Sequence, residues 1–323
     1  MKENLVIIAL GGNALLQAGQ KGSVEEQREN IRKTLEVIIP LIKEGKKLVL
    51  THGNGPQVGN VLLKNDAGEQ IYQIPAIPLD AAVADTQGEI GYLIQSELYN
   101  LFKEHNIDRE IISVNTMVEI DKEDPAFLNP TKRVGKTYYN EEEVKIMEQE
   151  KKWIFKEEIK NNKKGWRRVV PSPSPLDIAN KNTIKLLADS GAIVIAVGGG
   201  GIPVSVKNGK VVPEEAVIDK DLASALLSEQ LGADQFIILT DVPYVYLNYG
   251  TPHQIELNTL ELNQLDQYMK EGKFGEGNMA PKIKAAKRFI KNGGREVIIT
   301  NQEGLSKGLG TKIVLTNKLE RIS

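Results

Sequence analysis

The chain has 323 residues, of which 26% are charged and 41% are hydrophobic, as in an ordinary globular protein. Its formal net charge of −2 argues against a dedicated nucleic-acid-binding protein, which usually carries an excess of Lys and Arg. The absence of cysteine excludes disulfides, thiolate nucleophiles and Cys-ligated metals. The first apolar run is too short for a signal-peptide core or a membrane span, so we expect a soluble cytoplasmic protein.

The first predicted element is a buried strand, because Leu5 to Leu10 is an uninterrupted apolar run rich in β-branched residues. Gly11, Gly12 and Asn13 follow it directly. Glycine permits a tight turn and lets a ligand approach bare backbone N–H groups, which together can bind an anion. This segment alone fits a purely structural turn equally well, but similar glycine loops recur along the chain.

An amphipathic helix is predicted next. Ser23 and Glu26 have the spacing of a capping box, and apolar residues then recur at helical intervals up to Gly45. Residues 47–51 predict the second strand, which ends at the glycine loop 52–56 (His-Gly-Asn-Gly-Pro).

A second helix is expected from Leu79 to about Phe102, with Asp80 as its cap, and another strand at residues 110–114. Strands that alternate with amphipathic helices predict a mainly parallel sheet that is covered on both faces.

Residues 118–168 depart from this alternation and are largely polar. Between Lys132 and Arg168, twelve Lys or Arg accompany seven Asp or Glu, and a short helix is predicted from Glu141. Such a segment is either a linker or a flap inserted beside a site. We favour the flap, because the alternation of strands and helices resumes directly after the proline-rich residues 171–175.

A third glycine loop follows the strand predicted at residues 192–197. Its four consecutive glycines, Gly198 to Gly201, cost considerable conformational entropy, which favours a ligand-binding loop over a structural turn. A hairpin is expected around Asn208 and Gly209.

Further along, the charged residues Asp219, Lys220 and Asp221 stand at a predicted helix start. The strand Gln235–Leu239 ends at residues 240–244, and a glycine loop at residues 274–282 leads into a helix that ends near Lys291. Residues 296–300 and 311–315 are predicted to be closing strands.

Familiar phosphate-binding motifs do not match. Residues 135–137 resemble the end of a Walker loop, but Pro130 stands where glycine is required. The dinucleotide fingerprint fails as well, because Val58 and Val204 occupy the position of its third glycine. The three histidines are too far apart for a local metal motif, and we interpret His52 as a loop-packing residue.

The remaining signal consists of glycine loops at the carboxyl ends of predicted parallel strands, together with Lys132, Lys220 and Lys282. Backbone amides and ammonium groups suit phosphoryl transfer, which needs positioning and charge stabilisation more than covalent help. The lack of an evident general base points to an acceptor that is already an anion, such as a carboxylate or carbamate oxygen. For each lysine taken singly, a solvated surface position remains the alternative.

Seven motifs in the same order carry a family resemblance. They are residues 10–14 (LGGNA), 52–59 (HGNGPQVG), 129–132 (NPTK), 165–173 (GWRRVVPSP), 198–203 (GGGGIP), 216–221 (AVIDKD) and 277–282 (GNMAPK). Together they resemble the carbamate kinases of the amino-acid-kinase family over nearly the whole chain. The resemblance implies an open αβα sandwich with a mainly parallel central sheet, two lobes and a protruding flap. The lobe of residues 1–205, with the flap near 118–168, would bind carbamate or carbamoyl phosphate, and residues 206–323 the nucleotide.

The resemblance also implies an activity, the magnesium-dependent transfer of a phosphoryl group between carbamoyl phosphate and ADP to give ATP and carbamate. Carbamate then decomposes to ammonia and carbon dioxide. The implied cofactors are ATP or ADP and Mg²⁺, and the implied assembly is a homodimer without nucleic-acid or membrane partners.

The same resemblance assigns site residues. The transferring groups would be surrounded by Gly11, Gly12, Asn13, Gly53, Asn54, Gly200 and Gly201. The catalytic residues would be Lys132, which reaches the transferred phosphate from the flap, Lys220 and Lys282, which neutralise phosphate charge, and Asp219, which orients the lysines. The nucleotide would lie near Asp241, Tyr244, Gly277, Met279 and Lys282.

Other functions remain open at this point. One alternative is a kinase of the same fold that acts on a different small acid, and another is a non-catalytic nucleotide sensor. Retention of Lys220, Asp219 and Lys282 argues against a sensor. Other amino-acid kinases commonly carry a lysine in the first strand, whereas this first strand has none, so Lys132 on the net-positive flap is the natural source of that cation.

Overall fold

The computed structural model describes residues 5–17, 19–160, 163–274 and 279–315. Its strands are β1 (Leu5–Leu10), β2 (Lys47–His52), β3 (Ile111–Ser113), β4 (Met117–Ile120), β5 (Lys132–Tyr138), β6 (Ile154–Lys160), β7 (Lys163–Val170), β8 (Pro175–Ile178), β9 (Ile193–Ile195), β10 (Ile202–Lys207), β11 (Lys210–Pro213), β12 (Gln235–Leu239), β13 (Val245–Leu247), β14 (Ile255–Leu257), β15 (Thr259–Glu261), β16 (Glu296–Thr300) and β17 (Thr311–Val314).

Its α-helices are α1 (Val24–Glu36), α2 (Ile39–Lys43), α3 (Gly55–Tyr72), α4 (Leu79–His105), α5 (Glu141–Glu150), α6 (Lys181–Asp189), α7 (Lys220–Gln230), α8 (Leu262–Lys270), α9 (Met279–Lys291) and α10 (Gln302–Ser306). Within the described ranges, no helix combines the length and the apolar character that crossing a membrane requires.

The central sheet has eight strands in the order β15-β17-β16-β12-β1-β2-β9-β3. Every neighbouring pair is parallel except β16 and β17, which are antiparallel. The strand β1 lies inside the sheet and all six of its residues are buried, as the apolar run predicts. The predicted α/β fold with a mainly parallel central sheet is therefore confirmed.

Helices cover both faces of this sheet, because alternate side chains of β1 enter two separate cores. Ile7 packs into the core that contains Leu227 of α7 and Phe289 of α9. Ile8 packs into the opposite core, together with Leu35 of α1. Full burial of an aliphatic or aromatic side chain contributes about 1.5–3 kcal/mol, so the two cores fix the carboxyl edge of the sheet, where the loops emerge.

A smaller sheet, in the order β11-β10-β4-β8, continues beside the central one. The predicted hairpin at Asn208 and Gly209 is confirmed, since it joins the antiparallel strands β10 and β11 and both residues have positive φ.

The flap is a folded unit that consists of the antiparallel sheet β5-β7-β6 and the helix α5. The rings of Tyr138 and Phe155 pack edge to face, with centroids 5.3 Å apart, and Val134 and Val144 are buried. The folded flap begins at Lys132 and not near residue 118, because β4 pairs with β8 and β10 in the smaller sheet.

Two helix predictions need correction. The capping box of Ser23 and Glu26 is confirmed, but the helix expected to run to Gly45 is divided into α1 and α2. Pro40 lies in the first turn of α2 and has no N–H with which to continue α1. The predicted cap at Asp80 is wrong, because Pro78 occupies the cap position of α4 and Asp80 lies in its first turn.

The sequence pattern does not predict α3, which begins directly after the second glycine loop. This helix buries only Gln57, Val58 and Gly59, so it has no apolar stripe of helical period to reveal it.

Candidate active site

Four loops meet at the carboxyl edge of the central sheet, after the adjacent strands β12, β1, β2 and β9. With the start of α7 and the base of the flap, they enclose a cavity of about 360 Å³. Its wall includes ten of the predicted site residues, Gly11, Gly12, Asn13, Gly53, Asn54, Lys132, Asp219, Lys220, Asp241 and Lys282. The structure therefore assembles most of the predicted site in one place.

Gly199 lines the cavity, whereas Gly200 and Gly201 lie behind it. Gly200 has a φ of +94°, and a Cβ there would collide with the backbone carbonyl of Ile218. This position therefore requires glycine so that the third loop can approach the segment that leads into α7. A Cβ on Gly201 would collide with Val118 of β4.

The predicted nucleotide-binding residues are more dispersed. Asp241 accepts a hydrogen bond of 2.7 Å from Nδ2 of Asn13, which links the loop after β12 to the loop after β1. A second cavity of about 440 Å³ adjoins this link and shares Gly11 and Asp241 with the first. Tyr244 packs on Tyr246 outside both cavity walls.

Met279 is the first described residue of α9 and is partly buried. Gly277 lies outside the described residues.

A buried carboxylate holds two of the three lysines. Asp221 is only 4% exposed, and its oxygens lie 2.7 Å from Nζ of Lys220 and 3.2 Å from Nζ of Lys282. Burial alone would raise the pKa of Asp221, but the two ammonium groups outweigh it and lower this pKa. Asp221 therefore stays ionised and fixes both lysines at the cavity wall.

Asp219 places the third lysine. Its Oδ1 accepts the backbone N–H groups of Asp221 (3.0 Å) and Leu222 (3.3 Å), which caps α7. Its Oδ2 lies 3.3 Å from Nζ of Lys132, the first residue of β5 in the flap. The proposed orienting role is thus divided in the structure, since Asp219 contacts Lys132 whereas Asp221 contacts Lys220 and Lys282. Sequence reasoning named Asp221 but gave it no role.

The third glycine loop is held in a strained conformation by side chains that sequence reasoning also missed. Val197, which precedes the four glycines, is β-branched and buried yet has a φ of +53°. Its N–H donates to Oγ1 of Thr116 at 3.0 Å, and Nε2 of Gln87 donates to the carbonyl of Gly198 at 2.9 Å. Such strain persists only where the surroundings enforce it, and it is typical of ligand-binding sites.

His52 packs beneath the same loop, as the sequence analysis interpreted it. Its Nδ1 lies 2.9 Å from the carbonyl of Gly53, so Nδ1 carries the proton and donates it. A Cβ on Gly198 would collide with the His52 ring. Burial lowers the pKa of His52 to about 4, so the imidazole is neutral near pH 7.

The cavity as a whole is suited to anions. Three lysines and several backbone amides line it together with three aspartates. The carboxylates of Asp219 and Asp221 already hold the lysines or cap α7, and that of Asp241 accepts a hydrogen bond from Asn13. Among the described residues there is no cluster of three His, Cys, Asp or Glu side chains that could enclose a metal ion. A phosphate-bearing ligand would be held by charge and by N–H donors.

Comparison with known proteins agrees with this geometry. A model of the amino acid kinase family matches residues 4–301. The carbamate kinase of Pyrococcus horikoshii is 49% identical over 95% of this chain and 96% of its own length, and that of Thermococcus kodakarensis is 47% identical over 96% and 98%. The structure of carbamate kinase from Giardia lamblia bound to AMP-PNP superposes with a TM-score of 0.90, at 39% identity, over 97% of this chain and 99% of that one.

We predict that replacing His52 with Asn changes the pH dependence of stability. On acidification, His52 is protonated at its ordinary pKa of 6.5 in the unfolded chain but only at a pKa of about 4 in the folded chain. Between these two pH values the unfolded chain therefore binds more protons than the folded chain. The free energy of unfolding should fall on acidification through this window, by at most about 1.4 kcal/mol per pH unit from this residue. Urea unfolding at several pH values should show a shallower slope for His52→Asn. The control is His253→Asn, which replaces an exposed histidine. If the free energy of unfolding depended on pH equally in His52→Asn and the wild type, the prediction would be contradicted.

We predict that Asp221→Asn is strongly destabilising. Removing one partner of a buried charge pair costs about 3–5 kcal/mol, because the remaining charges stay buried without compensation. Asp189→Asn is a matched control, since Asp189 also contacts two lysines, Lys47 and Lys185, but at a more exposed position on α6. Its loss should cost at most about 1 kcal/mol. Urea unfolding at pH 7 measures the loss of stability in both variants. A similar loss in the two would refute the role of Asp221 in holding Lys220 and Lys282.

Proposed function

The chain belongs to the amino acid kinase family, and we propose that it is a carbamate kinase, which transfers a phosphoryl group reversibly between carbamoyl phosphate and ADP. The products in the ATP-forming direction are ATP and carbamate, and carbamate decomposes to ammonia and carbon dioxide. The observation that carries this proposal is the cavity in which Asp219 and Asp221 hold three lysines beside the glycine loops. The similarity to carbamate kinases over nearly the whole chain supports it.

The reaction needs no proton transfer at the phosphorus. The bond between phosphorus and the carbamoyl oxygen breaks, and a bond forms between phosphorus and an oxygen of the ADP β-phosphate. The bonding electrons stay on carbamate, which leaves as an anion, so neither direction needs a general base to activate its acceptor. This agrees with a site whose histidine, His52, is neutral and buried beneath the loops.

Stabilisation of negative charge is the main task of the side chains. Lys132 would reach the transferred phosphoryl group from the flap, while Lys220 and Lys282 would neutralise charge on the bridging and nucleotide phosphates. Such groups are effective because they are already in place when charge develops in the transition state. The backbone N–H groups of the glycine loops after β1, β2 and β9 would add further donors.

The nucleotide would bring Mg²⁺ with it. The described residues contain no metal-binding cluster of three side chains, and Mg²⁺ often binds through substrate phosphates and water with one or two carboxylates. When bound, the ion would neutralise part of the phosphate charge. We propose that residues 1–205 bind the carbamoyl group, that residues 206–323 bind the nucleotide near Asp241, Tyr244, Gly277 and Met279, and that the enzyme is a cytoplasmic homodimer.

A coupled assay tests the reaction. Purified protein with carbamoyl phosphate, ADP and Mg²⁺ should form ATP, and Lys220→Ala should abolish most of this activity because a partly buried cation at the cavity wall is lost. ATP is read with an enzymatic reporter, and Asp189→Asn serves as an active control. If the wild type forms no ATP although ADP protects it against heat, the substrate proposal is wrong and a different acid becomes the candidate.

We further predict that Lys132→Ala lowers kcat by about 100-fold, the size typical for the loss of one transition-state donor. Its effect on the free energy of unfolding should be small, because its side chain is 39% exposed and exposed ion pairs contribute little. Lys136→Ala is the matched control on the same strand, since Lys136 contacts Glu143 and not the cavity. Equal rates for the two variants would exclude a catalytic role of Lys132.

A further inference from the structure

Asn54 has an unusual position in the cavity wall. It occupies the cap position of α3, where an Asn side chain normally accepts a backbone N–H from the first turn of the helix. Here the side chain makes no such bond. It turns towards α4 instead, and its Nδ2 lies 2.9 Å from Oγ1 of Thr86. The usual stabilising cap is therefore replaced by a contact that orients the amide.

The hydroxyl of Thr86 determines which way the Asn54 amide faces. Thr86 is fully buried, and its Oγ1 lies 2.7 Å from the backbone carbonyl of Val83, which can only accept. The single hydroxyl proton is used in that bond, so towards Asn54 the oxygen can only accept. The NH₂ group of Asn54 must therefore face Thr86, and its carbonyl oxygen must face elsewhere.

The carbonyl oxygen Oδ1 of Asn54 is left as an acceptor for a ligand. No described residue donates a hydrogen bond to this oxygen, and the oxygen is not completely buried. Asn54 is 5% exposed and lines the cavity, so the remaining access to this oxygen is from the cavity. The carboxylates on this wall already have partners, since Asp219 and Asp221 contact the lysines and Asp241 accepts a hydrogen bond from Asn13.

We infer that Oδ1 of Asn54 accepts a hydrogen bond from the amino group of the carbamoyl substrate, and that Thr86 is the positioning residue that enforces this orientation. The inference rests on the proposed function and adds the basis of its selectivity. The amino group distinguishes carbamoyl phosphate from acetyl phosphate, which has a methyl group of similar size in the same place. A buried acceptor left unpaired by a methyl group disfavours the analogue.

The test compares ATP formation from carbamoyl phosphate and from acetyl phosphate in the wild type, Thr86→Val and Thr86→Ser. Valine preserves the shape of threonine but allows the Asn54 amide to rotate. The kcat/KM for carbamoyl phosphate should fall about tenfold or more, while that for acetyl phosphate should change much less. Serine keeps the hydroxyl and should restore the wild-type ratio of the two values.

Thr34→Val is the matched control. Thr34 is also fully buried, its hydroxyl also donates to a helix carbonyl, that of Asn30, and it also accepts from an amide, that of Gln302, but it does not line this cavity. It should leave the substrate ratio unchanged. A parallel fall of both kcat/KM values in Thr86→Val would overturn the inference, because it would indicate a structural role alone.

The wild type provides a test that does not depend on the folding of any variant. Equal kcat/KM for the two substrates would overturn the inference while leaving the proposed function intact. Absence of ATP formation from carbamoyl phosphate would instead refute the proposed function itself.

Discussion

The electrostatic balance around Asp221 is the interaction on which the site depends. Lys220 and Lys282, whose side chains are largely withdrawn from solvent, would repel each other, and the carboxylate between them offsets that repulsion. Its position follows from the fold, because Asp221 stands in the first turn of α7 and Lys282 on the adjacent helix α9. The packing of these two helices in one core therefore sets the spacing of the charges. Asp219 extends the same arrangement to Lys132, so that one helix start organises lysines from three separate elements.

The fold was largely predictable because its signals are local. The run Leu5–Leu10, the capping box at Ser23 and the glycine loops each follow from a few consecutive residues. What the sequence did not reveal depends on contacts between distant residues, such as the pairing of Asp221 with Lys282 or the bond from Gln87 to the carbonyl of Gly198. Polar side chains of this kind leave no periodic pattern. The same reason explains α3, which is mostly solvent-facing and therefore lacks an apolar stripe.

The long helix α4 has a role beyond covering the sheet. Most of its buried residues are apolar, but the consecutive residues Thr86 and Gln87 are buried and polar, and each holds a different glycine loop. Buried polar groups are tolerated when their hydrogen bonds are complete, and such networks favour one defined arrangement over many similar ones. Thr86 and Gln87 therefore connect the position of α4 to the geometry of the cavity wall, although neither contributes to that wall.

The strained backbone at Val197 has a consequence for how the cavity receives its ligands. Fixing the backbone of one residue costs about 1–2 kcal/mol in conformational entropy, so a free loop of four glycines would consume much of the binding energy of a small anion. Thr116 and Gln87 already hold the loop, and this ordering is completed when the chain folds. The part of the cavity wall that this loop forms is therefore already ordered before a ligand binds. A ligand that binds there does not have to order this loop, so less of its binding energy is lost.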